Sequence, residues 1–159
     1  ADAPPSVSFQ DGVGGYAGTI DTRIRTDQPT VNFGTSNKLE LDGNPDFSSL
    51  VQWNLRSIPQ NATVVTASFT VNISNSSTAS FEVYEMLRPW VETQATFLRY
   101  TTADLWASAG ASGIGTDRNN TVLGTLTGGI GLVTVQLNSA GIAVVQNWIA
   151  NPATMYSRV

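Results

Sequence analysis

Alternating apolar and polar side chains predict a series of strands along this chain. Between Ile20 and Thr26, Ile and Thr side chains share one face and charged side chains the other, because strand side chains repeat every two residues. Lys38–Leu41 alternates in the same way after a loop that contains Pro, Asn and Gly, and so predicts a second strand. Further strands are predicted at Leu50–Leu55, Ala67–Ile73, Phe81–Met86 and Leu132–Leu137, with short ones at Val7–Phe9 and within Met155–Val159.

One segment near the C-terminus has helical instead of strand periodicity. In Ser139–Ile149 the apolar residues recur every three or four positions, Ser139 is a suitable N-cap, and Asn151-Pro152 ends the pattern. The chain is therefore predicted to be all-β with one short C-terminal helix.

Three segments also carry recognisable motifs: Asp21–Gly34, Leu50–Val64 and Pro89–Phe97. Together they resemble the DNRLRE, or disaggregatase-related, domains of secreted and surface proteins. The resemblance implies an antiparallel β-sandwich of the jelly-roll type over residues 8–159. Residues 1–7, which contain two prolines, are interpreted as an N-terminal arm and a possible donor strand. Arg118 departs from the pattern, since a Tyr is expected there, and this weakens any binding role carried over to its loop.

Composition removes several classes of function. The 159 residues include no Cys and no His, so disulfides, thiolate chemistry, His-based triads and most zinc or copper sites are excluded. Charged residues make up 13% of the chain, against roughly 25% in an average soluble domain. The few arginines are scattered, so nucleic acid is not an expected partner. No apolar run approaches the roughly 20 residues of a membrane span.

We expect an extracellular protein, secreted or held at the cell surface. The neutral polar composition is common in extracellular β proteins, and the opening Ala-Asp-Ala-Pro-Pro would suit a mature N-terminus left by signal-peptide cleavage. Four sequons make their asparagines candidate glycosylation sites, although chance explains most sequons in a chain rich in Asn, Ser and Thr. These are Asn61, Asn72, Asn75 and Asn119.

Catalysis is not expected. Without Cys and His, a pair of acidic side chains is the catalytic arrangement that remains, and no such pair is well placed. Glu82 and Glu85 are three residues apart on a strand and so face opposite sides, while Glu92 lies beyond Pro89 in a turn.

Calcium is the cofactor that this composition permits, since it takes Asp carboxylates and backbone carbonyls in irregular loops. Asp11 and Asp21 bracket a Gly-rich loop, and Asp104 and Asp117 lie in a later one. A structural calcium is also common in the jelly-roll carbohydrate-binding modules that the family resembles. For each carboxylate taken singly, a solvated side chain is the alternative.

Sugar rings stack on aromatic side chains, and three loop aromatics are candidate glycan contacts: Tyr16, Phe33 and Tyr100. The alternative is that each ring packs beneath its own loop. The four tryptophans are predicted to be core residues instead, since aromatic side chains carry large buried area. They are Trp53, Trp90, Trp106 and Trp148.

Three functional hypotheses follow. The first is a non-catalytic, polysaccharide-binding module of a cell surface or matrix, as the resemblance implies. The second is a self-assembling subunit of an extracellular filament, such as a biofilm matrix fibre, joined by strand exchange through the N-terminal arm and stabilised by calcium. The third, a carbohydrate-active enzyme, has no paired carboxylates to support it.

Overall fold

In the computed structural model of this chain, residues 4–44, 46–152 and 158–159 are described. The fold is mainly β, with antiparallel sheets and one short C-terminal helix, as the side-chain pattern predicted. In chain order the elements are β1 (Thr19–Arg25), β2 (Asp42–Gly43), β3 (Asp46–Trp53), β4 (Ser68–Ile73), β5 (Ser80–Val83), β6 (Gly124–Thr127), β7 (Gly131–Gln136) and α1 (Ser139–Ala150).

The described strands form three antiparallel sheets, ordered β1-β3-β2, β4-β7 and β5-β6. The chain divides into two compact units, each assembled from separated stretches of sequence. The motif unit comprises Gly18–Trp53, Glu85–Asn120 and Arg158–Val159. The helix unit comprises Ala1–Ala17, Asn54–Tyr84 and Thr121–Ser157. A single domain over residues 8–159 therefore stays a prediction.

The motif unit is built on the pairing of β1 with β3. Ile24 of β1 and Leu50 of β3 are buried with Trp90 and Trp106 in one hydrophobic core. Val159 extends this sheet, since its backbone exchanges two hydrogen bonds with Val51 of β3, of 2.8 and 2.9 Å. The final strand that the sequence predicted thus contributes Arg158–Val159, while residues 155–157 lie outside the described ones.

The helix unit combines the sheets β4-β7 and β5-β6 with α1. Val135 of β7, Leu123 and Trp148 of α1 are buried. The helix begins after Asn138, whose side chain accepts a hydrogen bond from Gly141 N–H at 3.0 Å. Asn138 is thus the N-cap instead of the predicted Ser139, because its side chain can close the first turn.

Two predicted strands are wrong. Lys38–Leu41 alternates like a strand, but side chains take the place of ladder bonds: Arg23 donates to the Lys38 carbonyl at 2.9 Å, and Ser49 Oγ donates to the Glu40 carbonyl at 2.8 Å. In this part of the chain, regular pairing with β3 occurs only in the short strand β2 that follows. Val7–Phe9 is not a strand either, since it has no ladder partner.

The remaining differences concern where strands begin and end. β3 begins at Asp46, earlier than the predicted Leu50, because β2 folds back onto it as a short hairpin. β5 ends at Val83, short of the predicted Met86, whose N–H donates to the Arg158 carbonyl. β6 was not predicted, since Gly124–Thr127 is too short to show clear alternation.

Three of the four tryptophans are buried, as predicted: Trp90, Trp106 and Trp148, whereas Trp53 is half-buried. Among the described residues, no helix has the length and apolar character needed to cross a membrane.

Candidate functional site

Two of the sequence motifs meet inside the motif unit. The Asn32 side chain donates to the carbonyl of Glu92 at 2.7 Å and to that of Ala95 at 2.8 Å. Its Oδ1 accepts from Gly34 N–H at 3.0 Å. A Cβ atom at Gly34 would overlap the Glu92 carbonyl, so only glycine fits there. These motif residues hold two loops together, and their hydrogen-bonding groups are directed at protein partners.

Asp117 organises the later Gly-rich loop of the same unit. Its carboxylate is fully buried and accepts from the N–H groups of Ala107 at 2.9 Å, Ser108 at 2.9 Å and Gly113 at 3.0 Å, with Arg88 Nε at 3.4 Å. Burial alone would raise the pKa of the Asp117 carboxyl, but these hydrogen bonds outweigh burial and hold its pKa below the ordinary value. Its lone pairs are largely committed to protein donors.

The other calcium candidates have different surroundings. Asp21 is half-buried on β1, and its backbone N–H donates to the Glu92 carboxylate at 3.0 Å. Asp104 is exposed and accepts from the Thr101 hydroxyl at 2.7 Å. Asp11 is exposed in a turn of the helix unit. Within the described residues, no three acidic side chains gather into a group that could hold a metal ion. Calcium binding stays a prediction.

Two candidate glycan contacts belong to the motif unit, and both rings are half-buried. Phe33 lies under Arg23, whose guanidinium carbon is 4.4 Å from the ring centroid. Tyr100 packs against Trp106, with ring centroids 5.5 Å apart, and contributes to the core. Neither ring stands alone as an exposed platform.

The third candidate, Tyr16, lies at the end of the Gly-rich loop in the helix unit. Its ring packs on Phe9 with centroids 5.3 Å apart, and its hydroxyl oxygen accepts from Asn54 N–H at 3.0 Å. Tyr16 therefore joins the loop to the segment before it and to the residue after β3. A role in glycan contact stays a prediction for all three rings.

The candidate glycosylation sites differ in access. Asn61 and Asn75 are exposed outside the strands, and Asn72 is exposed on β4. The Asn119 amide nitrogen donates to the partly buried Glu85 carboxylate at 2.7 Å, so its modification would break a native contact.

Within the described residues, one side of the β4 backbone has no hydrogen-bond partner. Leu137 N–H donates to the Ala67 carbonyl at 3.0 Å, which fixes the phase of the β4–β7 ladder. Because backbone groups alternate in an antiparallel ladder, those of Ser68, Thr70 and Asn72 point away from β7. They make no hydrogen bond in the described part of the chain.

This edge lacks the features that usually discourage pairing with other molecules. The β4 sequence, Ser-Phe-Thr-Val-Asn-Ile, has no charged residue, no Pro and no Gly. Its partner β7 is also an uncharged edge of six residues, but it begins with Gly131. The edge strand β1 carries three charged side chains, and Glu92 occupies the Asp21 N–H. β5 is only four residues long and carries Glu82. Of the described edge strands, β4 is therefore the one that contains no charged residue, no Pro and no Gly.

Apolar surface surrounds this edge. The inward side chains of β4 are Phe69, Val71 and Ile73, and all three are half-buried. Ile130, in the turn before β7, is 70% exposed, and Leu132 on β7 is 80% exposed. A further strand beside β4 would extend both the ladder and the apolar layer beneath it.

The segment that precedes the Gly-rich loop, residues 4–9, is also without backbone partners. None of its N–H or carbonyl groups makes a hydrogen bond within the described residues. Val7 is 62% exposed, while Phe9 packs on Tyr16. The sequence suggested a strand here, and the structure has an unpaired segment of alternating pattern instead.

Comparisons with protein-family models, with curated proteins and with solved structures found no match to this chain. The likeness to DNRLRE domains thus rests on the motif residues alone.

Proposed function

We propose that this chain is a non-catalytic, extracellular structural subunit that associates with copies of itself by adding a strand to the edge of β4. We further propose that its antiparallel strands form a β-sandwich of the jelly-roll type. The observation that carries the proposal is the uncharged edge of β4, where the outward backbone groups of Ser68, Thr70 and Asn72 have no hydrogen-bond partner among the described residues.

The physical reason lies in the unpaired peptide groups. Each exposed N–H and carbonyl on an edge is ready to pair, and natural edge strands are usually shielded by charge, proline or a bulge. β4 has neither charge nor proline, and it pairs with β7 in one continuous register. The backbone groups of Ser68, Thr70 and Asn72 point outward from this pair. Main-chain hydrogen bonds would supply affinity, and alternate side chains would set the register of the added strand.

The remaining parts of the proposal rest on sequence. The absence of Cys and His, the low charge content and the resemblance to surface domains support an extracellular, non-catalytic role. We propose a second copy of this chain as the partner, because contacts that repeat head to tail without closing generate filaments.

The test compares two changes at one position. In Thr70→Pro the outward N–H is lost from the edge, whereas Thr70→Ala keeps it; both lose the 2.8 Å contact between the Thr70 and Thr134 hydroxyls. We expect the wild-type protein and Thr70→Ala to form assemblies visible by light scattering and negative-stain microscopy, and Thr70→Pro to remain monomeric.

A second proline variant keeps the test decisive if Thr70→Pro does not fold. Asn72→Pro removes the next outward N–H, and circular dichroism and the melting temperature report whether each variant is folded. A wild-type protein that is monomeric at every concentration, or folded proline variants that assemble like wild type, would contradict the proposal.

Polysaccharide binding is the second candidate, and one observation favours it. The outer face of the β4–β7 sheet carries, beside the exposed Leu132, several exposed hydroxyl and amide side chains that can exchange hydrogen bonds with sugar hydroxyls. They are Ser68, Thr70, Asn72, Thr134 and Gln136.

A polysaccharide array tests this candidate directly. The Thr134→Val variant removes one hydroxyl from the face at constant shape, and should weaken retention of any bound polysaccharide. Phe33→Ala and Tyr100→Ala test ring stacking separately. Retention of no polysaccharide by the wild-type protein would contradict the second candidate.

A further inference from the structure

The proposed function leaves open which strand is added to β4, and residues 4–9 have the pattern that the edge requires. In β4, polar Ser68, Thr70 and Asn72 alternate with apolar Phe69, Val71 and Ile73. The segment Pro-Pro-Ser-Val-Ser-Phe alternates in the same way, with Pro5, Val7 and Phe9 on one side and Ser6 and Ser8 on the other.

We propose, resting on the proposed function, that the added strand is the segment Pro4–Phe9 of a second copy of this chain. Its apolar side would continue the layer of half-buried β4 side chains, and its serines would continue the polar outer face. Acceptor and donor then reside on the same chain at different places, so the contact is heterologous and can repeat from copy to copy.

The backbone of the segment is suited to pairing for part of its length. Pro4 and Pro5 have no N–H, and proline is tolerated at the first positions of a strand or at an edge. Ser6, Val7 and Ser8 retain N–H groups, and none of these is hydrogen-bonded within the described residues. The donor ladder is therefore centred on Val7, whose side chain is 62% exposed in the single chain.

The end of the segment is held in place by its own chain. Phe9 packs on Tyr16, and the turn between them is closed by a hydrogen bond from Gly12 N–H to the Tyr16 carbonyl at 2.9 Å. Gly12, Gly14 and Gly15 adopt positive φ in this turn, which glycine accepts without strain. This anchor fixes the chain where the exposed residues 4–8 end, which lowers the entropy lost when they pair with a neighbour.

The first experiment is a matched pair of charge substitutions. Val7→Asp and Val13→Asp place the same charge at valines of similar exposure, 62% and 58%, but only Val7 lies in the proposed donor. Sedimentation velocity over a concentration series should show that Val7→Asp raises the concentration for half-assembly about tenfold or more, because a carboxylate would be buried at the new contact. Val13→Asp should assemble like wild type.

The second experiment uses complementation. The Val7→Asp variant has an intact β4 edge but a disrupted donor segment. The Thr70→Pro variant has an intact donor segment but a disrupted β4 edge. Mixing the two should give a one-to-one dimer that neither forms alone, because the Thr70→Pro copy can donate its segment to the β4 edge of the other. Ser8→Pro, which removes a donor N–H, replaces Val7→Asp if the latter does not fold.

The outcomes separate this inference from the proposed function. If Thr70→Pro abolishes assembly while Val7→Asp and Ser8→Pro assemble like wild type, the edge is used but the donor assignment is wrong. If the mixture of the two folded variants stays monomeric, the segment does not reach the edge and the donor assignment is overturned. If Val7→Asp assembles by itself, a symmetric pairing of β4 with β4 replaces the donor. A wild-type protein that never assembles overturns both proposals.

Discussion

The two units of this chain use their polar groups in different ways. In the motif unit, side chains such as Asn32 and Asp117 bond to backbone groups of other loops, and Glu92 occupies an N–H on the edge of β1. In the helix unit, Gln146 of α1 makes a similar double contact with the loop at Ala62 and Val64. On its edge strand β4, however, no described side chain covers the outward backbone groups in this way.

The difference suggests a division between stability and association. Buried, hydrogen-bonded polar groups are costly to disturb, because each partner left behind is unsatisfied. Exposed edge groups are already hydrated, so changing them has little effect on folding while changing what the surface can pair with. Substitutions in the motif unit should therefore act on unfolding, and substitutions on β4 should act on assembly.

The largest effect is expected from Asp117→Ala. The change removes the buried carboxylate that accepts from three backbone N–H groups and Arg88, and should lower the free energy of unfolding by about 3–5 kcal/mol. Thermal unfolding followed by circular dichroism measures it, with Asp104→Ala as the control, since Asp104 is exposed. Equal losses from the two variants would contradict the role assigned to Asp117.

A smaller loss is expected from Gly34→Ala. The new Cβ would overlap the Glu92 carbonyl, and the shift needed to relieve the overlap should cost about 1–3 kcal/mol. Gly43→Ala is the matched control, because a Cβ there has no neighbour within 4 Å. Chemical denaturation should show a lower midpoint for Gly34→Ala alone, and similar midpoints for both variants would count against the close approach.

Acid should remove part of the stability of the motif unit. The folded pKa of Asp117 is below its unfolded value, so its contribution is fully present above about pH 4 and is lost as pH falls through the folded pKa. The gap in melting temperature between the wild-type protein and Asp117→Asn should therefore narrow below about pH 4. A gap that stays constant down to pH 2 would contradict the lowered pKa.

Calcium should have the smallest effect on the single chain. Asp117 is committed to protein donors, so any calcium site has to rely on other oxygens, among them those of Asp11, Asp21 and Asp104. We expect millimolar calcium to raise the melting temperature modestly over protein treated with a chelator, as a ligand that binds the folded state does. An unchanged melting temperature and unchanged assembly would rule calcium out as a stabiliser.

The sequence predicted much of this fold because the relevant signals are local. Alternation located β1, β4 and β7, and helical periodicity located α1. Lys38–Leu41 alternates equally well, yet Arg23 and Ser49 bind its carbonyls, and such competition depends on contacts distant in sequence. β6 carries too few residues to show a pattern.

The sites were harder to predict for a related reason. Asp117 is recognisable as an acidic residue in a Gly-rich loop, but its backbone N–H partners come together only once the loop is folded. Likewise, the β4 sequence predicts a strand, while the absence of a neighbour on one side depends on where every other strand lies. The one local clue was the lack of charge in Ser68–Ile73.

Amide hydrogen exchange at single-residue resolution, in dilute and in assembled protein, tests strand addition at β4 most directly. The N–H groups of Phe69 and Val71 face β7 and should be protected in both states. Those of Thr70 and Asn72 should exchange rapidly in the dilute protein and become protected on assembly. Assemblies in which Thr70 and Asn72 exchange as fast as in the single chain would show that another surface joins the copies.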